Sequence, residues 1–323
     1  MTSSPLDIAT LGGQTMGTTW SAKLVAGRNR DLHALHAGIQ ARLDTVVAQM
    51  STWEPQSDIS RYNRAAGGWQ RLPPEFFNVL QAAQAIARSS GGAFDPTVGP
   101  MVELWGFGAG AHPQRVPAAA EIAAVAARVG WQRLELRPDG HEALQPGGLQ
   151  LDLSAIAKGF GVDLATAWLR QAGIDAALVE VGGELAGYGR KPDGAPWQVL
   201  VESAPEEDDA AGLPPRVLAL DGMAVATSGD RWHRFDAGGQ RYSHTFDARL
   251  GRPVVSAAAA VTVVAEDAMH ADGWATALTV MGAQAGLELA EREGLAARFL
   301  VRDGNGLRET FSGAFAARME AGA

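Results

Sequence analysis

The sequence predicts an α+β fold with mixed sheets and packed helices, and three observations support that class. Helical stripes and strand-like runs both recur along the chain. One βαβ-like unit near the middle is followed by several hairpin-like pairs of strands. The chain has 323 residues, 46% of them apolar and 20% charged, which is the composition of a globular protein with a sizeable core. Because we find neither an internal repeat nor a clean linker, we expect residues 1–323 to form a single domain, with two intimately packed α/β subdomains as the alternative.

The first half of the chain predicts one strand and three helices. An alternating run from Thr18 to Val25 predicts the strand. Asp31 can cap a helix whose apolar residues recur at helical spacing from Leu32 to Met50. Prolines at the start and two glycines past the end bracket a second helix in LPPEFFNVLQAAQAIARSSGG. The run VPAAAEIAAVAARVGW repeats that plan, with Gly130 as its stop.

The remainder of the chain alternates strands, helices and hairpins. The βαβ-like unit consists of a strand at Gly148–Leu153, a helix at Ile156–Ala172 and a strand at Ala176–Val181. Single strands are predicted in PWQVLVES, RVLAL, MAVATSG and AAVTVVA. Two later helices are predicted at Asp267–Met281 and Ala283–Arg292. Hairpins are predicted in RWHRFDAGGQRYSHTF, turning at Ala237–Gly239, and in ARFLVRDGNGLRETFS, turning at Asp303–Gly306.

Composition excludes several classes of function. The net charge is −9 and no basic stripe occurs, which argues against a nucleic-acid partner. No apolar run approaches the ~20 residues that span a bilayer. The absence of cysteine removes disulfides, thiolate chemistry and cysteine–zinc sites. The acidic, proline-punctuated segment Ala204–Pro215 is expected to be a solvated surface loop.

The helix predicted at Asp267–Met281 carries a candidate metal site. Asp272 and Thr276 are four residues apart and therefore share one helix face, among small and apolar neighbours. A carboxylate and a hydroxyl on one face can give two hard oxygen ligands to Mg²⁺. In the alternative, Thr276 bonds back to the carbonyl of Asp272 and the carboxylate pairs with a basic residue.

The stretch LDLSAIAKGFGVD, residues 151–163, joins a predicted strand to a predicted helix and carries a lysine at the junction. It lacks the glycines of a phosphate-binding Walker loop. Ser154 and Lys158 are one residue further apart than in the S-x-x-K motif, which removes an acyl-transfer interpretation. Lys158 near a helix start favours an anion, and a plain joint with a solvated lysine is the alternative.

Two further segments have candidate binding or catalytic residues. The glycine-rich stretch Ser89–Gly108 contains Phe94, which could stack on a flat ring, and Asp95, or else it is a packed loop. His244 lies in a strand-like run near Asp247, which suits a general base as well as a structural histidine.

Taken together and in order, these segments resemble the ApbE-type FAD:protein FMN transferases over nearly the whole chain. The matching motifs are MGTTW, MSTWEPQSDISRYN, GGAFDPTVGPMVELWGFG, LDLSAIAKGFGVD, VEVGGEL, VATSGD, RYSHTFDARLGRP and VTVVAEDAMHADGWATAL. The resemblance implies an ApbE-like, T-fold-related architecture. It also implies Mg²⁺-dependent cleavage of FAD, transfer of FMN to a Thr or Ser hydroxyl of an acceptor protein with an S-G-A-T type motif, and release of AMP. The acceptor that it implies is a subunit of a respiratory or electron-transfer flavoprotein.

The resemblance also implies a role for individual residues. Met16 and Trp53 correspond to isoalloxazine or adenine contacts. Further FAD contacts are implied at Ala93, Phe94, Asp95, Asp152, Lys158 and Phe246. The metal ligands implied are the carbonyl of Ala155 and the side chains of Asp272 and Thr276, and His244 is implied to deprotonate the acceptor hydroxyl.

The chain departs from the family pattern in three respects. Ala248 and Leu250 replace a proline and a threonine after the histidine, which predicts a differently shaped turn there. Glu180 and Glu184 stand where asparagine and aspartate are common. Relatives are mostly exported, often as lipoproteins, whereas we find neither a signal peptide nor a lipobox cysteine. We therefore expect a mature periplasmic or inner-membrane-associated form, with membrane attachment only through an anchor absent from this chain, and a cytoplasmic location as the alternative.

Two other functions compete with FMN transfer. One is a Mg²⁺-dependent FAD pyrophosphatase that gives FMN and AMP, and the other is a flavin-binding protein without turnover. A self-modified electron carrier is disfavoured, because the stretch nearest to an acceptor motif, SGAF at Ser312–Phe315, ends without a hydroxyl.

Overall fold

The computed structural model describes residues 6–110, 112–201, 213, 216–229, 234–254, 259–303 and 306–321. The segment expected to form an acidic loop, 204–215, lies outside the described residues apart from Leu213. Among the described helices, none combines the length and the apolarity that crossing a membrane requires.

Helices and strands occur throughout the described chain. The helices are α1 (Leu32–Met50), α2 (Asp58–Arg64), α3 (Pro74–Ser89), α4 (Gly99–Leu104), α5 (Ala119–Ala126), α6 (Ala157–Gln171), α7 (Ala268–Met281), α8 (Ala283–Glu293) and α9 (Gly313–Ala321). The strands are β1 (Leu6–Thr15), β2 (Thr18–Gly27), β3 (Gly68–Arg71), β4 (Leu136–Arg137), β5 (Glu142–Gln145), β6 (Ala177–Val181), β7 (Glu184–Tyr188), β8 (Trp197–Val201), β9 (Arg216–Leu220), β10 (Met223–Gly229), β11 (Arg234–Ala237), β12 (Gln240–Ser243), β13 (Phe246–Asp247), β14 (Arg252–Pro253), β15 (Ala260–Ala265), β16 (Ala296–Asp303) and β17 (Gly306–Phe311).

Eight of the described strands form one antiparallel sheet, in the order β1-β2-β6-β7-β10-β15-β16-β17. Smaller antiparallel sheets are β3-β5-β4, β8-β9, β11-β12 and β13-β14. The predicted α+β class is confirmed, with helices packed on sheets. The described strands pair only antiparallel, however, so the sheets are not mixed as expected.

The large sheet is covered on both faces. In β6, Ala177, Val179 and Val181 point to one face and pack with residues of α1 and α6. Leu178, between them, belongs to the opposite face, which the β8–β9 hairpin and α9 cover. This alternation is the two-residue period of a strand whose neighbours bury both faces. Helices α6 and α7 lie together on the first face.

Several predicted elements are confirmed within one or two residues. Asp31 caps α1 by accepting a hydrogen bond from the amide of Ala34 at 3.0 Å. The β11–β12 hairpin turns at 238–239 as predicted. Helix α7 starts after Asp267, which accepts the amide of His270 at 2.8 Å.

The predicted strand at Gly148–Leu153 is wrong. The side chain of Asn63, rather than a neighbouring strand, hydrogen-bonds the backbone of this segment. It accepts from the amide of Leu151 at 2.7 Å and donates to the carbonyl of Leu151 at 2.9 Å. The βαβ-like unit therefore does not form, and β6 pairs antiparallel with β2 and β7.

Strand β1 was not predicted, because Gly12 and Gly13 are typical of a turn. The structure gives the reason for one of these glycines: a Cβ at Gly13 would lie 2.6 Å from the indole nitrogen of Trp20 on β2. The glycine is thus required by packing across the β1–β2 pair.

Candidate functional site

One cavity of about 930 Å³ is lined by every site residue that the sequence predicts. This volume is within the range of small-molecule and cofactor sites. The predicted residues in its wall are Met16, Trp53, Ala93, Phe94, Asp95, Asp152, Ala155, Lys158, His244, Phe246, Asp272 and Thr276. Segments that are far apart in the sequence, from the turn between β1 and β2 to helix α7, therefore meet around this one cavity.

The start of α6 has an irregular backbone that leaves a carbonyl oxygen without a partner. Ile156, just before the helix, has φ −151° and ψ −24°. Within the described part of the chain, the carbonyl of Ala155 accepts no hydrogen bond. Its regular helical donor would be the amide of Gly159, which instead donates to Oδ2 of Asp272 at 3.0 Å. The Ala155 oxygen is therefore available to a ligand.

Helix α7 presents two more oxygen donors to the cavity. Asp272 is 5% exposed, and burial raises the pKa of its carboxyl. Among the described residues the hydroxyl of Thr276 makes no hydrogen bond, whereas the hydroxyl of Thr279 donates to the carbonyl of Ala275 at 2.8 Å. The back-bond considered for Thr276 is therefore not formed.

These three oxygens fit a small hard cation. Mg²⁺ prefers oxygen ligands, keeps several waters and needs few protein groups. The segment just before α6 supplies the carbonyl of Ala155, and α7 supplies the carboxylate of Asp272 and the hydroxyl of Thr276. Among the described residues there is no cluster of three or more His, Cys, Asp or Glu side chains suited to a metal. The candidate ligands differ from such a cluster, because they are one backbone carbonyl, one carboxylate and one hydroxyl.

Lys158 is bound beside these oxygens by a residue whose role the sequence did not reveal. Its Nζ lies 2.5 Å from Oε1 of Glu184, at the start of β7. Burial by itself would lower the pKa of Lys158, but the nearby carboxylates of Asp272 and Glu184 outweigh this effect and raise the pKa above its ordinary value. The second oxygen of Glu184 is buried and has no partner among the described residues. Lys158 is therefore a fixed cation in the cavity wall, rather than the solvated lysine considered above.

Asp152 and Asp95 line the cavity, and hydrogen bonds from nearby groups occupy one oxygen of Asp152 and both oxygens of Asp95. Asp152 accepts from the amide of Ser154 at 2.8 Å. Asp95 accepts from the amide and hydroxyl of Thr97 at 2.8 and 2.6 Å, and from the amide of Trp131 at 3.0 Å. These bonds fix the loop that presents the buried side chain of Phe94 to the cavity.

Two apolar side chains reach the cavity from turns. Met16 and Gly17 form the two-residue turn between β1 and β2, with φ values of 48° and 71°. A positive φ at a methionine is uncommon, and such strain clusters at functional sites. Trp53 is 64% exposed in the cavity wall, so its ring is accessible to a flat ligand.

His244 lies between β12 and β13, not within a strand as predicted, because β12 ends at Ser243. The nearby Asp247 binds Arg249 through both oxygens, at 2.9 and 2.8 Å. Phe246 packs edge-on against Phe107 with ring centroids 5.8 Å apart. His244 is thus carried on a short connection fixed by an aromatic cluster.

Comparison with known proteins gives consistent results. A model of the ApbE family matches residues 16–299. The FAD:protein FMN transferase of Vibrio cholerae serotype O1 is 36% identical over 313 residues, which cover 96% of this chain and 92% of that protein. The FAD:protein FMN transferase of Klebsiella pneumoniae (strain 342) is 34% identical over 318 residues, covering 97% of this chain and 90% of that protein.

Solved structures agree over the same length. The flavinyl transferase ApbE of Pseudomonas stutzeri, in its apo form, has a TM-score of 0.89 and 39% identity, with 98% of each chain covered. The flavin transferase ApbE of Vibrio cholerae has a TM-score of 0.88 and 33% identity, covering 97% of this chain and 100% of that one. On its sequence and its fold, the chain belongs to the ApbE family.

Proposed function

We propose that this chain is an enzyme that transfers FMN from FAD to a Ser or Thr hydroxyl of an acceptor protein with an S-G-A-T type motif, in the presence of Mg²⁺. The observation that carries the proposal is the convergence of all the predicted site residues on one cavity. The names of the relatives, FAD:protein FMN transferase, support the same reaction.

The chemistry needs positioning and charge neutralisation more than covalent help from the protein. Ala155, Asp272 and Thr276 would hold Mg²⁺, which when bound offsets the charge of the FAD diphosphate as a Lewis acid. Lys158 would add a fixed positive charge near the phosphates. Phe94 and Trp53 would pack against the flat rings of FAD.

His244 would act as the base in the transfer step. It takes the proton of the acceptor hydroxyl as that oxygen forms a bond to the FMN phosphorus. The phosphorus–oxygen bond of the diphosphate breaks at the same centre, and AMP leaves with the bridging oxygen. The products are a phosphoester-linked flavin and AMP, and the histidine carries the proton.

The decisive experiment incubates the protein with FAD and Mg²⁺, with and without an acceptor domain carrying the S-G-A-T type motif. Flavin fluorescence on the acceptor in a denaturing gel, with equimolar AMP, is the expected result. AMP and free FMN without acceptor labelling would instead establish a pyrophosphatase, and FAD binding without either product a carrier. An acceptor whose motif hydroxyl is replaced by alanine is the matched control.

The metal assignment predicts that Asp272→Asn abolishes Mg²⁺-dependent turnover, because the isosteric amide cannot supply a charged ligand. Glu288→Gln on the exposed face of α8 is the control for losing one carboxylate. AMP release is measured against Mg²⁺ concentration, and EDTA should abolish it in the wild type. Full activity of Asp272→Asn would refute the metal assignment.

We further propose that residues 1–323 fold as one domain and act in the periplasm or at the inner membrane. The spread of cavity residues from Met16 to Thr276 supports the first point, and the family resemblance supports the second. A single thermal transition and cell fractionation test these points.

A further inference from the structure

Helices α6 and α7 cross at a contact too close for any side chain. A Cβ at Gly159 would lie 2.1 Å from the carbonyl oxygen of Ala268 and 2.9 Å from Cβ of Asp272. Gly159 is in the first turn of α6, and Ala268 is the first residue of α7. The two helix starts therefore lie against each other.

Each helix carries a carboxylate that caps the start of the other. Asp272 of α7 accepts the amide of Gly159 at 3.0 Å. In the reverse direction, Asp163 of α6 accepts the amides of Ala268 and Met269 at 2.8 and 2.9 Å, one with each oxygen. Amides in the first turn have no intrahelical partner, and a carboxylate there also meets the positive end of the helix dipole.

The two halves of this arrangement are geometrically alike. Gly159 and Asp163 are four residues apart on α6, and Ala268 and Asp272 are four apart on α7, so each pair lies on one helix face. We call this pair of carboxylate caps the reciprocal clamp. It is formed by Gly159, Asp163, Ala268, Met269 and Asp272.

The clamp bears directly on the proposed metal ligands. The carbonyl of Ala155 precedes α6, whereas Asp272 and Thr276 lie on α7, so their separation depends on how the helices are placed. Asp163 does not line the cavity of the candidate site; it lines a separate cleft formed in part by α6 and the start of α7. It would therefore contact neither FAD nor a cation bound in the cavity of the candidate site.

We propose that Asp163 is a positioning residue that fixes α7 against α6 and so sets the spacing of the metal ligands for the reaction proposed above. The capping bonds hold the first turn of α7, and Asp272 follows one turn later. Loss of one acceptor oxygen at Asp163 frees one amide and lets this turn shift. Outer partners that orient ligands typically change metal affinity by 10–100-fold when they are removed.

The test compares Asp163→Asn with Asp267→Asn. At pH 8, above the pKa of about 7 to which burial raises Asp163, both changes neutralise a carboxylate bonded to the first turn of α7. Asp267, however, immediately precedes α7, and among the described residues its side chain hydrogen-bonds only to His270 of α7 and not to α6. Isothermal titration of each variant with MgCl₂, without FAD, gives the dissociation constant. We expect Asp163→Asn to raise it about tenfold or more and Asp267→Asn to leave it near the wild-type value. An unchanged constant in Asp163→Asn, or an equal rise in both variants, would overturn the inference.

A measurement on the wild type covers the case in which Asp163→Asn fails to fold. Coupling between two sites is reciprocal, so Mg²⁺ at the ligand set must tighten the clamp if the clamp orders the ligands. Hydrogen exchange of the Ala268 and Met269 amides should slow on adding Mg²⁺, and unchanged exchange would contradict the proposal. A wild type that binds Mg²⁺ with these effects but labels no acceptor would refute the proposed function alone.

Discussion

At the scale of single residues, His244 is the group with the most specific proposed task. It lines the cavity on a connection between two short strands, and the neighbouring aromatic rings and the Asp247–Arg249 pair fix that connection. The proposed reaction needs a base only once an acceptor hydroxyl is present. Its contribution should therefore appear in transfer rather than in FAD binding.

Replacing His244 by alanine is expected to lower the rate of acceptor labelling about 100-fold or more, as is typical for loss of a general base. FAD affinity, measured by quenching of flavin fluorescence, should change by far less. His33→Ala, at an exposed position on α1, is the control for losing an imidazole. An equal loss of binding and transfer would indicate that His244 has only a structural role.

At the scale of elements, the site depends on α6 crossing α7 at close range. Gly159 permits that approach, and the nearby Gly161 of the same helix faces only flexible side-chain ends. A Cβ at Gly161 would lie 2.9 Å from Cε of Met16 and 3.2 Å from a methyl of Leu43. A substitution at Gly159 therefore tests a contact with the backbone of α7, whereas the same substitution at Gly161 tests a contact with side chains only.

Gly159→Ala is expected to destabilise the protein although alanine is the better helix former by about 1 kcal/mol. The added methyl meets the backbone carbonyl of Ala268, so α7 must move, and overpacking of this kind costs about 1–3 kcal/mol or more. Gly161→Ala should cost clearly less, because Met16 and Leu43 can rotate away. Urea denaturation of both variants measures the difference, and equal stabilities would contradict the close crossing.

Patterns in the sequence predict these elements better than they predict the contacts between them. The starts of α1 and α7 follow from Asp31 and Asp267, which act on amides three residues away. The reciprocal clamp joins residues that are 105 to 113 positions apart in the sequence, and a local sequence pattern cannot predict hydrogen bonds between such distant residues. The segment before α6 has strand-like composition, yet Asn63 from a distant helix satisfies its backbone.

The same distinction applies to the site. Spacing alone left Asp272, Thr276, Lys158 and His244 open to ordinary structural interpretations, and only the resemblance grouped them. Glu184 was visible merely as a departure from the family pattern. Its pairing with Lys158 depends on the turn from β6 to β7 meeting the start of α6, which is a property of the folded chain.

At the scale of the whole molecule, the fold buries several carboxyl groups. Burial raises the pKa of Asp95, Asp163, Glu184 and Asp272. Such groups bind protons more tightly in the folded than in the unfolded chain. They oppose the usual trend, in which paired carboxylates make a protein more stable as the pH rises.

Asp163 allows this effect to be isolated, because burial raises its pKa to about 7 from an ordinary value of 3.8. Between these values the folded protein holds a proton on Asp163 that the unfolded chain has lost, so stability falls as the pH rises and levels off above about 7. The stability of the wild type relative to Asp163→Asn should therefore drop between pH 5 and 7 by about 1.4 kcal/mol per unit. Asp267 and His270 face the same carboxyl and titrate in both proteins, so the comparison removes most of their contribution. Urea denaturation in EDTA measures the difference, and a difference that does not change with pH would show that Asp163 is ionised throughout.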